Sequence, residues 1–359
     1  MSAPRSLTLV GGGLAGLALG AALARGGAEV TLYESGRLPR HRVCGEFLSG
    51  LLPEVVARLR LGPHLRGAAW NRTTGWHAGG RLRFAAELPQ PAAGLSRPVL
   101  EERLRDEFIS VGGTLRENTR LADAETQGEG VVWCAGRRPN PASPWLGLKI
   151  HCRNLRLGQD LEVHLGRGGY VGTARIEDGR VNVCGLFRRR PGLHAPREEM
   201  LLAYLRVGGL EGLADRVAAG EPDPASAVAV SGLDFSQTSR DAERLSLGDH
   251  HAPIPPYTGH GMAMALESAA EALAPLLAYA RGELNWARAV EQVRAQVGAR
   301  QDFRLRCARW LHPWLLQPLR QRLMLAAADA RVLPFGLLYR VTHGRAESVA
   351  ENAAARQRA

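Results

Sequence analysis

Six residues near the N-terminus, Gly11-Gly12-Gly13-Leu14-Ala15-Gly16, restrict the fold more than any other stretch of the chain. They satisfy G-x-G-x-x-G between Ser6 to Val10, which reads as a short buried strand, and Leu14 to Arg25, an alanine- and leucine-rich run that reads as a helix. Gly11 permits the tight turn, Gly13 lets the backbone approach a pyrophosphate, and Gly16 allows helix and strand to pack closely. The free N–H groups at the helix start, including those of Leu14 and Ala15, attract phosphate. Ala28 to Tyr33 reads as a second strand ending at Glu34, where a carboxylate accepts hydrogen bonds from an adenosine ribose and disfavours a 2′-phosphate. The result is a complete βαβ dinucleotide-binding opening, and by itself it does not choose between NAD and FAD. The same apolar stretch imitates a signal peptide, but the glycines at 11, 12, 13, 16 and 20 sit where a nucleotide site needs them, which argues against a cleaved leader.

Further along, Pro39 to Gly50 is a basic, glycine-containing loop, and Leu52, Val55, Val56 and Leu59 suit one helix face. Trp70 to Pro91 reads as short, turn-rich, strand-like pieces, an excursion into another domain. Arg97 to Val111 returns to a helix with Leu100, Leu104 and Phe108 on one stripe, and Gly130 to Cys134 reads as a buried strand ending in Ala135-Gly136. Residues 143 to 238 alternate as an antiparallel sheet should, notably in Leu161 to Leu165, Tyr170 to Ile176 and Arg180 to Phe187, with one helix at about 197 to 207. Leu245 to Leu247 is another strand. Gly261 to Arg281 and Trp286 to Arg309 are long helices, and Pro313, Pro318 and Pro334 divide the apolar, arginine-rich tail into short ones.

A second motif supplies what the fingerprint lacks. Leu247-Gly248-Asp249, followed by Pro256-Tyr257-Thr258-Gly259-His260-Gly261-Met262 at the start of a helix, resembles the second FAD motif of the aromatic hydroxylase and geranylgeranyl reductase flavoprotein superfamily. The resemblance covers roughly residues 5 to 300. It implies that Asp249 binds the ribityl chain and that the backbone around Gly259 and Gly261 faces the flavin pyrimidine ring, where helix-start N–H groups stabilise the negative charge of a reduced flavin. Leu95-Ser96-Arg97 looks like the helix start whose arginine lies beside the flavin dinucleotide. Arg40-His41-Arg42-Val43-Cys44-Gly45-Glu46 looks like the Cys-Gly loop of geranylgeranyl-reductase-like proteins, which puts Arg42, Cys44 and Gly45 beside the cofactor. Cys44 is read either as a thiol acting near the isoalloxazine or as a small buried residue. His260, between two glycines, is a candidate proton donor at the ring edge.

Departures from the family bear on the reaction. Cys134-Ala135-Gly136-Arg137 stands where many hydroxylases carry Ala-Asp-Gly; Gly136 is counted with the cofactor residues, and the absent aspartate weakens a transfer of their NADPH handling. No Trp-x-Trp-x-Ile-Pro segment is present, and Lys149 lies far from where a flavin halogenase would place its lysine, so halogenation ranks third. Gly169-Tyr170-Val171-Gly172 and Asn182 lean toward hydroxylation, Cys44-Gly45 toward reduction.

The formal charge of +11 comes almost entirely from arginines without a long block, and no helix-turn-helix, RNP or zinc spacing accompanies it, so nucleic acid is not an expected partner. Five scattered cysteines without a C-x-x-C pair fit a reducing cytoplasm. His250, His251 and His260 share no ligand spacing with acids or cysteines, so no metal is expected. Trp310, Trp314, Leu315 and Leu323 among arginines hint at a lipophilic substrate collected at a membrane surface, or else at helices packing on the core.

The expected fold is α/β. A Rossmann-like FAD-binding domain of glutathione-reductase type is assembled from residues 1-69, 94-142 and 239-297; residues 70-93 and 143-238 form an inserted antiparallel-sheet substrate domain; residues 298-359 form a helical C-terminal segment. The expected activity is that of an FAD-dependent oxidoreductase using NADH or NADPH. The leading form is a monooxygenase hydroxylating a lipophilic or aromatic small molecule such as a polyketide. The alternatives are a geranylgeranyl-reductase-like enzyme acting on isoprenoid double bonds and a non-catalytic flavin-binding protein. The oligomeric state is left open.

Overall fold

The hydrophobic runs flanking the glycine turn form β1 (Leu7–Val10) and α1 (Leu14–Arg25), and β2 (Val30–Tyr33) follows in parallel register, Leu7 beside Val30 and Val10 beside Tyr33. The computed structural model describes residues 5–121, 128–237 and 244–344; parts of the expected 1-69, 94-142, 143-238, 239-297 and 298-359 segments lie outside those residues. After β3 (Phe47–Leu48) and α2 (Pro53–Leu59) the chain runs through β4 (Ala69–Ala78) and β5 (Arg81–Gly94). It returns through α3 (Arg97–Ser110), β6 (Thr114–Arg116) and β7 (Val131–Trp133). A second excursion contains β8 (Trp145–Cys152), β9 (Leu161–Gly166), β10 (Gly169–Arg175), β11 (Val181–Arg188), α4 (Met200–Val207), α5 (Glu211–Ala219) and β12 (Pro222–Ser231). The remainder is β13 (Leu245–Ser246), α6 (Gly261–Ala280), α7 (Trp286–Leu311), α8 (Pro313–Leu316), α9 (Pro318–Asp329) and α10 (Phe335–His343).

Two sheets organise these elements. The first is parallel throughout, in the order β13-β7-β1-β2-β6, and its helices α1, α3 and α6 share one core with it that includes Leu9, Leu17, Phe108 and Leu266. Strands so short and apolar are what a sheet buried on both faces requires. The second runs β12-β8-β11-β10-β9-β4-β5-β3 and is antiparallel except where β4 meets β9. One of its faces carries Leu148, Ile150, Val171 and Val183 and packs under α4 and α5; the other carries Leu161, Val163, Tyr170 and Leu186 and packs against Leu315 of α8. The mixed α/β class is as the sequence implied.

Several details differ from expectation. Residues 70 to 91 form one long hairpin rather than short pieces, because Gly79 and Gly80, both at positive φ, make its two-residue turn. Pro89 and Pro91 lie in the part of β5 that has no partner on β4, where a missing N–H costs no ladder bond. The pair Phe47–Leu48 belongs to the second sheet although it precedes the excursion, and α5 and β6 were not anticipated.

The C-terminal helices are tied to the core by a buried ion pair. Arg304 on α7 donates to both oxygens of Glu267 on α6, at 3.1 and 2.6 Å, to Nε2 of His260 at 2.8 Å and to the carbonyl of His343 on α10 at 3.1 Å. α6 is long and apolar enough to cross a membrane, but it is a core helix packed between α1 and α7, and its acid is matched inside the protein. Replacing one member of such a pair leaves the other charged and buried, at a cost of about 3–5 kcal/mol. Glu267→Ala is expected to lower the thermal midpoint strongly, whereas Glu291→Ala, which breaks the exposed pair to Arg288, moves it little; equal effects in a melting experiment would contradict this account.

Candidate cofactor and substrate site

The glycine turn meets each steric demand of a dinucleotide cradle. A Cβ on Gly16 would stand 2.1 Å from the carbonyl oxygen of Gly11, and one on Gly11, at φ +112°, would stand 2.5 Å from that of Cys134. Around Gly13 the nearest neighbour of a Cβ is Arg97 Nη2 at 3.9 Å, so that position faces open space. No side chain caps α1 and its first turn carries no acid, leaving the first N–H groups of the helix free to meet an anion. Leu14 and Ala15 bury their side chains in the core, so what they offer is backbone.

Glu34 accepts from the Gly12 N–H at 2.8 Å with one oxygen and from the Gly36 N–H and Arg40 with the other. Arg42 donates to Glu101 at 3.0 Å, and Arg97 pairs with the same carboxylate, which is fully buried. Glu101 thus fixes both arginines beside Gly13. Cationic groups and free amides converge on one opening, and this donor set fits a dinucleotide diphosphate.

The Cys-Gly loop is gripped from the second sheet. Lys149, the chain's one lysine, is buried on β8 and donates to Glu46 at 2.6 Å; His151, also on β8, donates to the other oxygen of that carboxylate. Asn182 on β11 donates to the carbonyl of Cys44 at 2.9 Å. Glu46 also accepts from the Arg97 N–H, and its carbonyl accepts from the Leu95 N–H. These contacts hold Glu46 at φ +56°, a conformation a side chain normally avoids. Burial alone would raise the Glu46 carboxyl, but the His151 hydrogen bond and the Lys149 ammonium outweigh it and hold the group below its ordinary value. Burial, with Lys149 adding to it, takes His41 down to about 4, so this ring next to the ammonium is neutral. His41, Glu46 and His151 bring ligand-type atoms within 4.8 Å of one another, but Lys149 already supplies the cation there.

Cys44 lines the wall of a small cavity, and burial pushes its thiol up, so it is neither a thiolate nor fully enclosed. Gly45 lies next to it in the same wall.

The second motif places two glycines at positive φ ahead of α6. Gly248 and Gly259 have φ +58° and +64°, and a Cβ on Gly259 would collide with Phe47 at 2.0 Å. Asp249 is part-exposed and meets Arg137 at 3.4 Å; Gly136, at φ +76°, has open space beside it. Pro256 lines the small cavity, Gly261 opens α6, and Met262 turns its side chain into the core. The His260 ring, expected at the flavin edge, turns inward and lines neither cavity described below. Its ring is fully buried, donates from Nδ1 to the Ser49 carbonyl at 2.6 Å and accepts at Nε2 from Arg304; burial first and Arg304 second lower it to about 3, so no imidazolium forms near neutral pH. His250 stacks on Trp133 and contacts the Gly136 carbonyl, remote from the partners of His260.

Two cavities adjoin these loops. The inner one, about 70 Å³, lies between Cys44-Gly45, Pro256-Tyr257 and the sheet residues Gly172 and Cys184. The outer one, about 280 Å³, is almost wholly apolar and is closed by the C-terminal helices through Trp310, Trp314, Leu323 and Phe335. Phe47, Leu161, Val163 and Tyr257 are common to both walls. Sequence reasoning missed Glu46, Lys149, His151 and Phe47. A solitary lysine in an arginine-rich chain was the available signal.

The Glu46 geometry generates a pH-dependent expectation. A carboxyl held below its unfolded value contributes stability that is present above that value and lost as the pH falls through the folded one. Lys149→Met removes the ammonium and leaves the carboxylate under-paired, so at pH 7 it is expected to destabilise by about 3–5 kcal/mol. Protonation of Glu46 relieves that penalty, so the gap in melting temperature between the two proteins narrows as the pH is lowered toward 4.5, the ordinary glutamate value. A gap independent of pH would refute the assignment.

Comparison with known proteins agrees with this geometry. Residues 9–68 match the model of the NAD(P)-binding Rossmann-like domain. A curated relative, the menaquinone reductase of Mycolicibacterium smegmatis, is 32% identical over 142 residues, which is 37% of this chain and 33% of that protein; the matched segment therefore spans about a third of the relative's length. Klebsiella pneumoniae HpxO complexed with FAD and uric acid superimposes with a TM-score of 0.71 at 16% identity, covering 94% of this chain and 97% of that one. The p-nitrophenol 4-monooxygenase PnpA of Pseudomonas putida DLL-E4 does so with a TM-score of 0.69 at 14% identity, covering 96% and 100%. The chain has the fold of the FAD-dependent hydroxylases, with an NAD(P)-binding Rossmann-like domain at its start.

Proposed function

We propose that the protein is an FAD-dependent oxidoreductase that uses NADH or NADPH and hydroxylates a lipophilic or aromatic small molecule, such as a polyketide. The observation that carries this reading is the inner cavity. It lies between the Cys44-Gly45 loop and the Pro256-Tyr257 segment, which this reading sets beside the flavin ring, and it shares a wall with the apolar chamber. In the same reading residues 1-69, 94-142 and 239-297 form the cofactor-binding unit, residues 70-93 and 143-238 the substrate unit, and residues 298-359 a helical cover. Five free cysteines suit a reducing cytoplasm.

The amides of Gly13, Leu14, Ala15 and Gly16 would hold the diphosphate, Glu34 the adenosine ribose and Asp249 the ribityl chain, with Arg42 and Arg97 balancing charge. Gly45, Gly136 and the amides of Gly259, His260, Gly261 and Met262 would border the ring. The chemistry supplied by bound FAD is the acceptance of hydride from the nicotinamide and the activation of oxygen. The chain's own part is placement and dryness. Leu161, Val163 and Tyr257 exclude water from the path to the ring, and the neutral thiol of Cys44 adds no charge there.

A second reading is favoured by one comparison. The menaquinone reductase relative, together with Cys44-Gly45 and the missing aspartate before Gly136, supports direct reduction of a double bond in an isoprenoid-like substrate. Both readings use the same cradle and apolar chamber.

The purified protein is expected to be yellow, to bleach anaerobically with NADH or NADPH, and with substrate to consume oxygen and nicotinamide in equal amounts. Turnover without oxygen would establish the reductase reading instead. A colourless protein that fails to take up FAD would overturn both. Ala327→Trp, which fills the outer chamber, is expected to raise KM for a long-chain substrate about tenfold, a change of about 1.4 kcal/mol, while leaving flavin absorbance unchanged.

A further inference from the structure

The C-terminal helices present an unusual surface. α9 turns Leu319 and Leu323, one helical turn apart, outward, at 70% and 56% exposure, while Ala328 on its opposite side is buried. Trp310 at the end of α7 and Val332 and Leu337 around the start of α10 are likewise more than half exposed. Few large apolar side chains elsewhere among the described residues are so open, and exposed apolar side chains gathered on a run of packed helices mark an interaction surface.

Charge says what it meets. Between residues 306 and 340 the chain carries Arg306, Arg309, Arg320, Arg322, Arg331 and Arg340 and a single acid, Asp329, which is already paired with Arg83 of β5. Arg320 and Arg322 flank the Leu319–Leu323 stripe on either side of α9, and both are exposed. Two copies docking through this face would bring like charges together. An anionic bilayer supplies both the apolar depth that the leucines and tryptophan need and the phosphate charge that the exposed Arg320 and Arg322 would meet.

The patch is also the outer side of the apolar chamber. Trp310 and Leu323 are exposed and line that chamber, and Phe335 and Leu338 close it from α10, beside the exposed Leu337. We infer that the face formed by the end of α7, α9 and α10 docks on the surface of an anionic lipid bilayer, so that a lipophilic molecule passes from lipid into the chamber between Trp310 and Leu323 without crossing water. This rests on the reading that the chamber takes a lipophilic substrate; the docking itself is measurable without turnover.

The test uses the full-length flavoprotein and sedimentation with vesicles. Binding to phosphatidylglycerol–phosphatidylcholine vesicles is expected to exceed binding to pure phosphatidylcholine vesicles by about tenfold or more and to fall with added salt. Arg320→Glu/Arg322→Glu should lose that preference, and Leu319→Asp/Leu337→Asp should lose binding to both, each with unchanged melting temperature and flavin absorbance. Equal recovery with the two vesicle types, or no recovery, overturns the proposal, as does a concentration-dependent dimer in the absence of lipid that Leu319→Asp dissolves. Retained turnover of a detergent-dispersed substrate by a protein that ignores vesicles would sink the docking face while leaving the proposed function standing; vesicle binding by a protein that takes up no FAD would do the reverse.

Discussion

The carboxylate of Glu46 ties the loop after the first βαβ unit to the second sheet. Glu46 lies on the loop that follows the first βαβ unit, receives Lys149 and His151 from the second sheet, and reaches the backbone at the start of α3 through Arg97. It is fully buried, so its charge must be matched by groups inside the protein, and those groups come from strands about a hundred residues away. Until β8 is in place the loop has no reason to adopt φ +56° at Glu46. The position of Cys44 and Gly45, and with it the inner wall of the cavity, therefore depends on packing between sheets rather than on local sequence.

The second motif depends on a comparable junction from the other side. His260 could have faced outward from a glycine-flanked loop, but Arg304 approaches from α7 with Glu267 as its counter-charge, and the ring is drawn inward to bridge Arg304 and Ser49. The same arginine holds the carbonyl of His343, and the His343 ring donates to the carbonyl of Thr258, so the last helix reports directly on the loop beside the proposed ring site. A change in how α10 sits is thereby a change in the mouth of the outer chamber and in the backbone of the second motif at once.

These junctions explain what the sequence could reveal. The cradle was legible because each demand is local. Gly11 and Gly16 are needed where a Cβ would strike a carbonyl oxygen a few residues away or across one strand, and Gly13 where space must stay open; a regular spacing records both facts. The second motif was legible for the same reason in its backbone, at Gly248 and Gly259. Its side chains were not, since the fate of His260 is decided by Arg304, 44 residues on. Lys149 was weighed only against a halogenase lysine because its partner lies 103 residues earlier, and the length of the hairpin of β4 and β5 is set by a register that its turn-rich sequence does not show.

The division of labour between the ends of the chain bears on specificity. Everything that fits the dinucleotide comes from short, sterically fixed turns in the parallel sheet and its helices, and none of it distinguishes one substrate from another. The apolar chamber is built by side chains of the second sheet and of α7 to α10, among them Trp76, Trp314 and Phe335, whose size can change without touching the glycine turns. Hydroxylation and double-bond reduction make the same demand on the cradle, and they differ in what lies against the ring. In the proposed reading that choice falls to the inner cavity, where Cys44 and Tyr257 from the two motifs meet Gly172 and Cys184 from the second sheet, so neither the motifs nor the sheet alone would set it.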